Sequence, residues 1–255
     1  MKFLRYRPIF SLLLVSLLLS SCRVHYLYKD GTTETSVIAL DSSNKEEDSI
    51  AVAIIAPYKA SMEAEMEEVI AYSDQALSKA QPEGLLNNFI SDLVLKMAGR
   101  YYTENKIDFV LLNNGGLRSS LPKGEIKVRN VYELMPFENK ISIMIISGNN
   151  AAALFDYVAR EGGMPVSGIT MGIKEDKAVN ISVQSQAFDP SRNYIVATND
   201  YLADGGDKMS FFNNPIERID LPVLIRNAII EYLKELTTQG VTVNASLDKR
   251  IYYEK

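Results

Sequence analysis

A short apolar run, Ile-Asp-Phe-Val-Leu-Leu at 107–112, breaks abruptly into Asn-Asn-Gly-Gly at 113–116. A run of that length bounded by turn residues reads as a buried strand. The chain must therefore leave a sheet through a tight loop at Asn113. Gly115 and Gly116 can take backbone angles closed to other residues and let a ligand approach the main chain. Arg118 follows, a planar cation suited to a carboxylate or phosphate. Pro122 and Gly124 punctuate the next turn, and Pro136-Phe137 ends the block with an aromatic in a loop. Amides, a flexible backbone, a guanidinium and an aromatic face together suit a polar, anionic, ring-bearing small molecule. The simpler alternative is a tight turn beside a solvated arginine.

The surrounding pattern predicts an α+β domain, a mixed β-sheet with helices packed on its faces. The clearest helix covers 85–102, where Leu85, Leu86, Phe89, Ile90, Leu93, Val94, Met97 and Tyr101 recur at helical spacing. Residues 50–56 form an apolar run stopped by Pro57 and read as a strand; 61–69 reads as a helix and 69–77 as a short strand and turn. Asn130 is expected to cap a short helix over 131–135, and Asn149 or Asn150 one over 151–160 closed by Gly162-Gly163. Strands are expected at 141–146, 166–173, 178–184 and 194–198. Asp220-Leu-Pro222 reads as the opening of a helix to about 236, with Gly240 after it, and the tail 241–253 as an edge strand.

A second loop candidate follows the strand at 194–198. Asn199-Asp200-Tyr201 leads into Asp204-Gly-Gly-Asp207. It supplies an aromatic face at Tyr201 and a carboxylate at Asp207. Two aromatics from separate loops can sandwich a base, and a carboxylate suits ribose hydroxyls.

Two blocks in order carry a resemblance. Asn113-x-Gly-Gly-x-Arg118, Leu121-Pro-x-Gly-x-Ile126 and Val131-Tyr-x-x-x-Pro-Phe-x-Asn139, followed by 197–207, resemble the C-terminal domain of the 5'-nucleotidase / UDP-sugar hydrolase family. Leu86-Asn-Asn-Phe-Ile-Ser-Asp92 resembles that family's helix opening, with Asn87 in place of its usual glycine. The resemblance implies polar ligand contacts from Asn113 and Arg118, stacking by Phe137 and Tyr201 (the latter commonly phenylalanine), and a ribose-binding carboxylate at Asp207. Gly115, Gly116, Gly205 and Gly206 would shape the loops. A further family arginine would fall near Lys79 and Ala80 and is not matched.

In that family a separate N-terminal domain holds two metal ions and cleaves the ester, using several His, Asp and Asn ligands. This sequence contains one histidine, His25, and none of the family's histidine patterns, and the stretch ahead of Ile50 leaves no room for such a domain. No cofactor is expected in this chain, and divalent metals are expected in a partner. The expected partners are a nucleotide or nucleoside and a separate metallophosphoesterase chain. A stand-alone nucleotide- or nucleoside-binding protein is the alternative, and a structural lipoprotein with a decayed site a third. Net charge is −5, and no Lys/Arg run suggests a nucleic-acid groove.

The N-terminus carries Lys2, Arg5 and Arg7 ahead of an apolar stretch at 9–19, the pattern of a signal peptide over 1–21. Leu19-Ser-Ser-Cys22 resembles a bacterial lipobox, which implies lipidation of Cys22, the sole cysteine, and an exported, membrane-anchored lipoprotein. Residues 22–49 are polar and read as a tether, and 50–255 as the substrate-binding domain.

Overall fold

The computed structural model describes residues 48–255. The expected signal segment 1–21, Cys22, His25 and the tether up to residue 47 lie outside the described residues. In chain order the elements begin α1 (Ser49–Met66), β1 (Val69–Ser73), α2 (Leu85–Tyr101), β2 (Phe109–Leu111), β3 (Gly124–Lys127), α3 (Val128–Leu134), β4 (Lys140–Ser147) and α4 (Gly148–Arg160). They continue β5 (Val166–Ser167), β6 (Ile169–Lys174), β7 (Lys177–Val183), β8 (Gln186–Ala187), β9 (Asn193–Asn199), α5 (Asp200–Ala203), β10 (Glu217–Leu224), α6 (Ile225–Thr238) and β11 (Ile251–Tyr253).

Alternation along the central strands divides the interior into two cores. Val110 on β2, Ile141 and Ile143 on β4 and Ala197 on β9 face one core with α2, α3 and α6. Phe109 and Leu111, Met144 and Ile146, and Tyr194 and Val196 face the other, with α4 and β6. Side chains one residue apart on a strand point to opposite faces, so a sheet buried on both sides needs apolar residues at every position. This is why these strands read as continuous runs.

The five-stranded sheet has the order β10-β4-β9-β2-β5. Only β9 and β2 run parallel; the other neighbours are antiparallel. A four-stranded sheet, β11-β6-β7-β8, and the pair β1-β3 complete the fold. Within the four-stranded sheet β6 and β7 turn through Glu175 and Asp176, both at positive φ (49° and 59°), as a two-residue hairpin of right-handed twist requires. The tail adds β11 as a parallel edge strand beside β6. The fold is α+β, with mixed sheets and helices on their faces.

Several expected boundaries move. Residues 50–56 are not a strand but part of α1, which runs through Pro57. A short apolar run has no periodicity that separates strand from helix, and Ala51, Ala53 and Ala56 are good helix formers. Asn130 caps α3 from inside, accepting the Lys127 amide at 2.9 Å, so the helix starts earlier than expected. α4 is likewise capped by Ser147, whose hydroxyl accepts from the Asn150 amide at 3.3 Å.

The largest shift is at Pro222, which lies in β10 rather than in a helix. β10 is an edge strand whose register with β4 slips between Asp220 and Leu224. An edge bulge is where a strand tolerates a residue without an N–H. α6 then begins at Ile225 and ends as expected near Gly240, where the Gly240 and Val241 amides donate to the Thr237 and Leu236 carbonyls at 3.0 and 2.9 Å.

Candidate functional site

The sheet order brings three loops to one edge. β2 and β9 are parallel neighbours, so Asn113 after β2 and Asn199 at the end of β9 emerge together. β4 runs the other way, and its first residues pair with the end of β9, Ile141 opposite Asn199. The loop entering β4, with Phe137 and Asn139, therefore arrives at the same edge. The carboxyl ends of parallel strands are a common ligand position in open sheets.

Asn113, Gly115, Gly116, Arg118, Phe137, Asn139, Tyr201 and Asp207 line one cleft of about 330 Å³. Every binding residue singled out in the sequence is in it, although the two blocks are far apart in the chain. The volume is in the range of small-molecule sites. Phe137 and Tyr201 are 39% and 46% exposed, so their rings are open to a ligand.

Asn113 is buried and does not move freely. Its Oδ1 accepts from Asn199 Nδ2 at 3.2 Å, and its Nδ2 donates to Asp207 Oδ2 at 2.8 Å. Asn199 also caps α5, accepting from the Leu202 amide at 2.7 Å. Gly116 is required by this arrangement rather than by its own backbone angles. Gly115 and Gly116 are absent from the positive-φ residues, but a Cβ on Gly116 would lie 2.8 Å from Asn113 Oδ1. The expected need for unusual angles is thus replaced by a need for space.

Asp207 is held from both sides. Tyr201 donates its hydroxyl to Asp207 Oδ1 at 2.8 Å, and Tyr157 donates to the Asp207 carbonyl at 2.8 Å. The bond to Asp207 raises the Tyr201 pKa, and burial raises that of Tyr157, so both phenols keep their protons at neutral pH. Asp207 and Lys208 sit at φ 51° and 62°, a left-handed region costly for side-chain-bearing residues.

Arg118 donates its backbone amide to the Leu134 carbonyl at 2.8 Å, which fixes the base of the side chain. Its Nη1 reaches the Gly115 carbonyl at 3.4 Å, and its guanidinium lies 6.0 Å from the Phe137 ring centroid. The tip is thus weakly tethered and exposed. Where an arginine was expected and not matched, Lys79 donates to the Asn114 and Leu117 carbonyls at 3.1 and 2.8 Å, stapling the same loop. Asn87 donates to Asn114 Oδ1 at 3.2 Å, so the residue replacing a glycine also supports this loop.

The Phe137 loop is pinned by α6. The Ile225 amide donates to the Asn139 carbonyl at 2.9 Å, and Arg226 Nη1 donates to the Phe137 carbonyl at 3.3 Å. Arg226 is buried, lies 4.4 Å from the Tyr132 ring centroid, and leaves its Nε without a partner. Asn139, Asn199, Tyr157 and Arg226 were not singled out from the sequence. Asn139 and Asn199 had a signal, their places in Pro-Phe-x-Asn and at the head of the 199–207 loop; Tyr157 and Arg226 act through spatial neighbours that spacing does not reveal.

A larger cleft, about 470 Å³, lies beside Asn88, Lys96, Tyr232 and Arg250. Its carboxylates Asp92 and Asp248 are already bonded to Arg250, at 2.7 Å each. The smaller cleft therefore offers more unspent chemistry. Among the described residues no group of three or more His, Cys, Asp or Glu is placed to hold a metal ion. No described helix is long and apolar enough to cross a membrane.

Residues 64–214, more than half of the chain, match the family described as 5'-nucleotidase, C-terminal domain. The trifunctional nucleotide phosphoesterase protein YfkN of Bacillus subtilis is 27% identical over 237 residues, 85% of this chain and 16% of that protein. The 5'-nucleotidase of Vibrio parahaemolyticus is 31% identical over 110 residues, 40% of this chain and 19% of that enzyme. The chain thus spans a small part of these relatives' length. The solved 5'-nucleotidase precursor from Thermus thermophilus superposes with a TM-score of 0.68 and 29% identity, over 81% of this chain and 43% of that one.

Proposed function

This chain belongs to the family of 5'-nucleotidase C-terminal domains, and from that premise we propose that it recognises a nucleoside or nucleotide in the cleft of Asn113, Arg118, Phe137, Tyr201 and Asp207. The observation that carries this reading is the convergence of those residues, from loops distant in sequence, on one cleft of about 330 Å³. Phe137 and Tyr201 stack on the base, Asp207 accepts from the ribose hydroxyls, and Asn113 with the weakly tethered Arg118 orients the sugar and its phosphate. The relatives named above are nucleotide phosphoesterases and nucleotidases, which supports a nucleotide as the ligand.

Ester cleavage is assigned to a separate metallophosphoesterase chain that supplies the divalent metals. What supports this is the chain's single histidine, His25, far from the cleft in sequence. Capture without chemistry is the second reading, favoured by Phe137, Tyr201 and Asp207 lying in one cleft, an aromatic pair and a carboxylate suited to hold a base and ribose. Cys22 in its lipobox-like context supports an exported, lipid-anchored location. Labelling cells with radioactive palmitate should mark the protein and leave Cys22→Ala unmarked.

Calorimetric titration with adenosine, AMP and UDP-glucose tests recognition, with phosphate release plus Mn²⁺ assayed on the same sample. Saturable binding without release is expected from the protein alone, and release on adding a metallophosphoesterase that co-purifies with it. Absence of such a chain from purified complexes favours capture. Binding to none of the three ligands overturns the reading.

A further inference from the structure

We propose that the N-terminal half of α1 lies in the surface of a lipid bilayer, with Ile54, Ile55 and Met62 among the acyl chains and Tyr58 at the headgroup boundary. The helix would then seat the folded domain on the membrane that carries its anchor. The inference rests on the lipid-anchored reading of Cys22 for bringing a bilayer within reach, and adds to it a contact made by the folded part of the chain.

α2 to α6 each bury part of their length. α1 buries none of its residues. Ile54 is 62%, Tyr58 76% and Met62 56% exposed, and Val52 and Ile55 are exposed with them. Ile54, Tyr58 and Met62 recur every four residues and stand in a row along one side of the helix, with Ile55 beside them; Ala53, Ala56 and Ala60 fall on the other. The C-terminal end is what meets the domain. Met66 packs on the core shared by α2, α3 and α6, and Glu67 pairs with Lys127 and Arg129 at 2.7 and 2.8 Å. A contiguous row of large apolar side chains marks a surface that something covers.

The chemistry selects lipid over a protein groove. From Val52 to Pro57 no side chain is charged or can form a hydrogen bond. A protein interface rings its apolar centre with polar groups that fix the register, whereas acyl chains need no register. Tyr58 and Lys59 then supply an aromatic and an ammonium, groups that settle at the headgroup level. The pairing of Lys59 with Glu63, at 3.9 Å and exposed, holds the ammonium weakly. Glu63, Glu65, Glu67 and Glu68 follow where the helix joins the domain. These acids disfavour an anionic surface, so apolar burial carries the contact. α1 is not long and apolar enough to cross a membrane, so it lies along the surface, entering by about 5–10 Å. Its place in the chain agrees: α1 is the first described element after the polar stretch that follows Cys22.

The sequence has no tryptophan, so Tyr58→Trp gives the helix a single fluorescent reporter. The test takes this variant, purified from membranes with its lipid, into phosphatidylcholine vesicles whose acyl chains are brominated just below the headgroups. Its emission should move to shorter wavelength and lose most of its intensity to the bromines. Tyr253→Trp, at an exposed position on β11, is the reference and should keep its emission. Adding Ile54→Glu and Ile55→Glu to Tyr58→Trp should abolish the quenching and leave the melting temperature unchanged, since neither side chain is buried. An unquenched Tyr58→Trp variant that carries the palmitate label overturns the inference while the anchor stands. So does quenching no greater than that of Tyr253→Trp, or a shift to shorter wavelength without lipid in a protein that sediments as a dimer, which would make a second copy the occupant. Protein without the label at Cys22 removes the anchor and the inference together.

Discussion

Phe137 stands on a loop, 39% exposed, with a cation near its face. A side chain of that size left open to solvent is useful to a ligand and costs little stability when removed. Phe137→Ala should therefore weaken adenosine and AMP alike, by about 1–3 kcal/mol for a lost stacking face, with the melting temperature nearly unchanged. Titration of both ligands checks this, and unchanged adenosine affinity removes the stacking role. Arg118→Ala should behave differently, because a guanidinium pairs with phosphate. AMP should lose about tenfold or more while adenosine changes little. At this scale much of the candidate site was legible, since aromatic, amide, carboxylate and guanidinium groups in loops are visible as chemistry. What was not legible is support. Asn199 became a partner of Asn113 because β9 lies beside β2, and no spacing in the sequence states which strands are neighbours. Gly116 was singled out for its backbone and turned out to make room for a neighbouring amide.

Elements show where local pattern ran out. Periodicity placed α2 because its apolar stripe is long and regular, but it could not place α1, where an apolar run with alanines fits a helix as well as a strand. Pro222 suggested the first turn of a helix, and the alternative, an edge bulge, depends on β10 having a partner on one side alone. The position of α6 matters for the cleft, because Arg226 in its first turn holds the Phe137 carbonyl and lies 4.4 Å from the Tyr132 ring centroid. Arg226→Ala should cost about 1–3 kcal/mol of stability through the lost charged hydrogen bond and its unpaired carbonyl. It should also weaken adenosine binding although Phe137 is intact. Urea unfolding and titration on the same variant check both; full affinity would mean that the loop holds itself. On α4, behind the sheet, Phe155 is fully buried with Phe188 at 5.2 Å and Phe109 at 5.4 Å between ring centroids. Phe155→Ala should lower unfolding stability by about 3–5 kcal/mol, measured by the urea midpoint, since the void opens in the core behind β2 and β9.

At the scale of the whole molecule, ion pairs close the fold around its ends. Arg250, near the C-terminus, joins Asp248 and Asp92, and Arg100 on α2 pairs with Glu235 on α6. Arg250 holds the Asp248 pKa below its usual value, and Arg100 does the same for Glu235. Burial pushes Asp220 up, but hydrogen bonds from Arg218 and Ser142 more than offset it, and its pKa also falls. Each lowered carboxylate binds fewer protons folded than unfolded. Its contribution to stability is present above the unfolded pKa, about 4, and is lost as pH falls through the lower folded value. The melting temperature should therefore be level from about pH 5 to 8 and decline below about pH 4; a decline that begins near pH 6 would point to other groups. The same whole-molecule order, with β2 and β9 parallel and β4 antiparallel beside them, is what brings Asn113, Phe137 and Tyr201 to one edge. The most direct test of that account is a crystal structure of the protein soaked with AMP at saturating concentration. The base should lie between Phe137 and Tyr201, the ribose on Asp207 and the phosphate toward Arg118. A base seated elsewhere, such as the larger cleft beside Tyr232 and Arg250, or a cleft that stays empty, would contradict it.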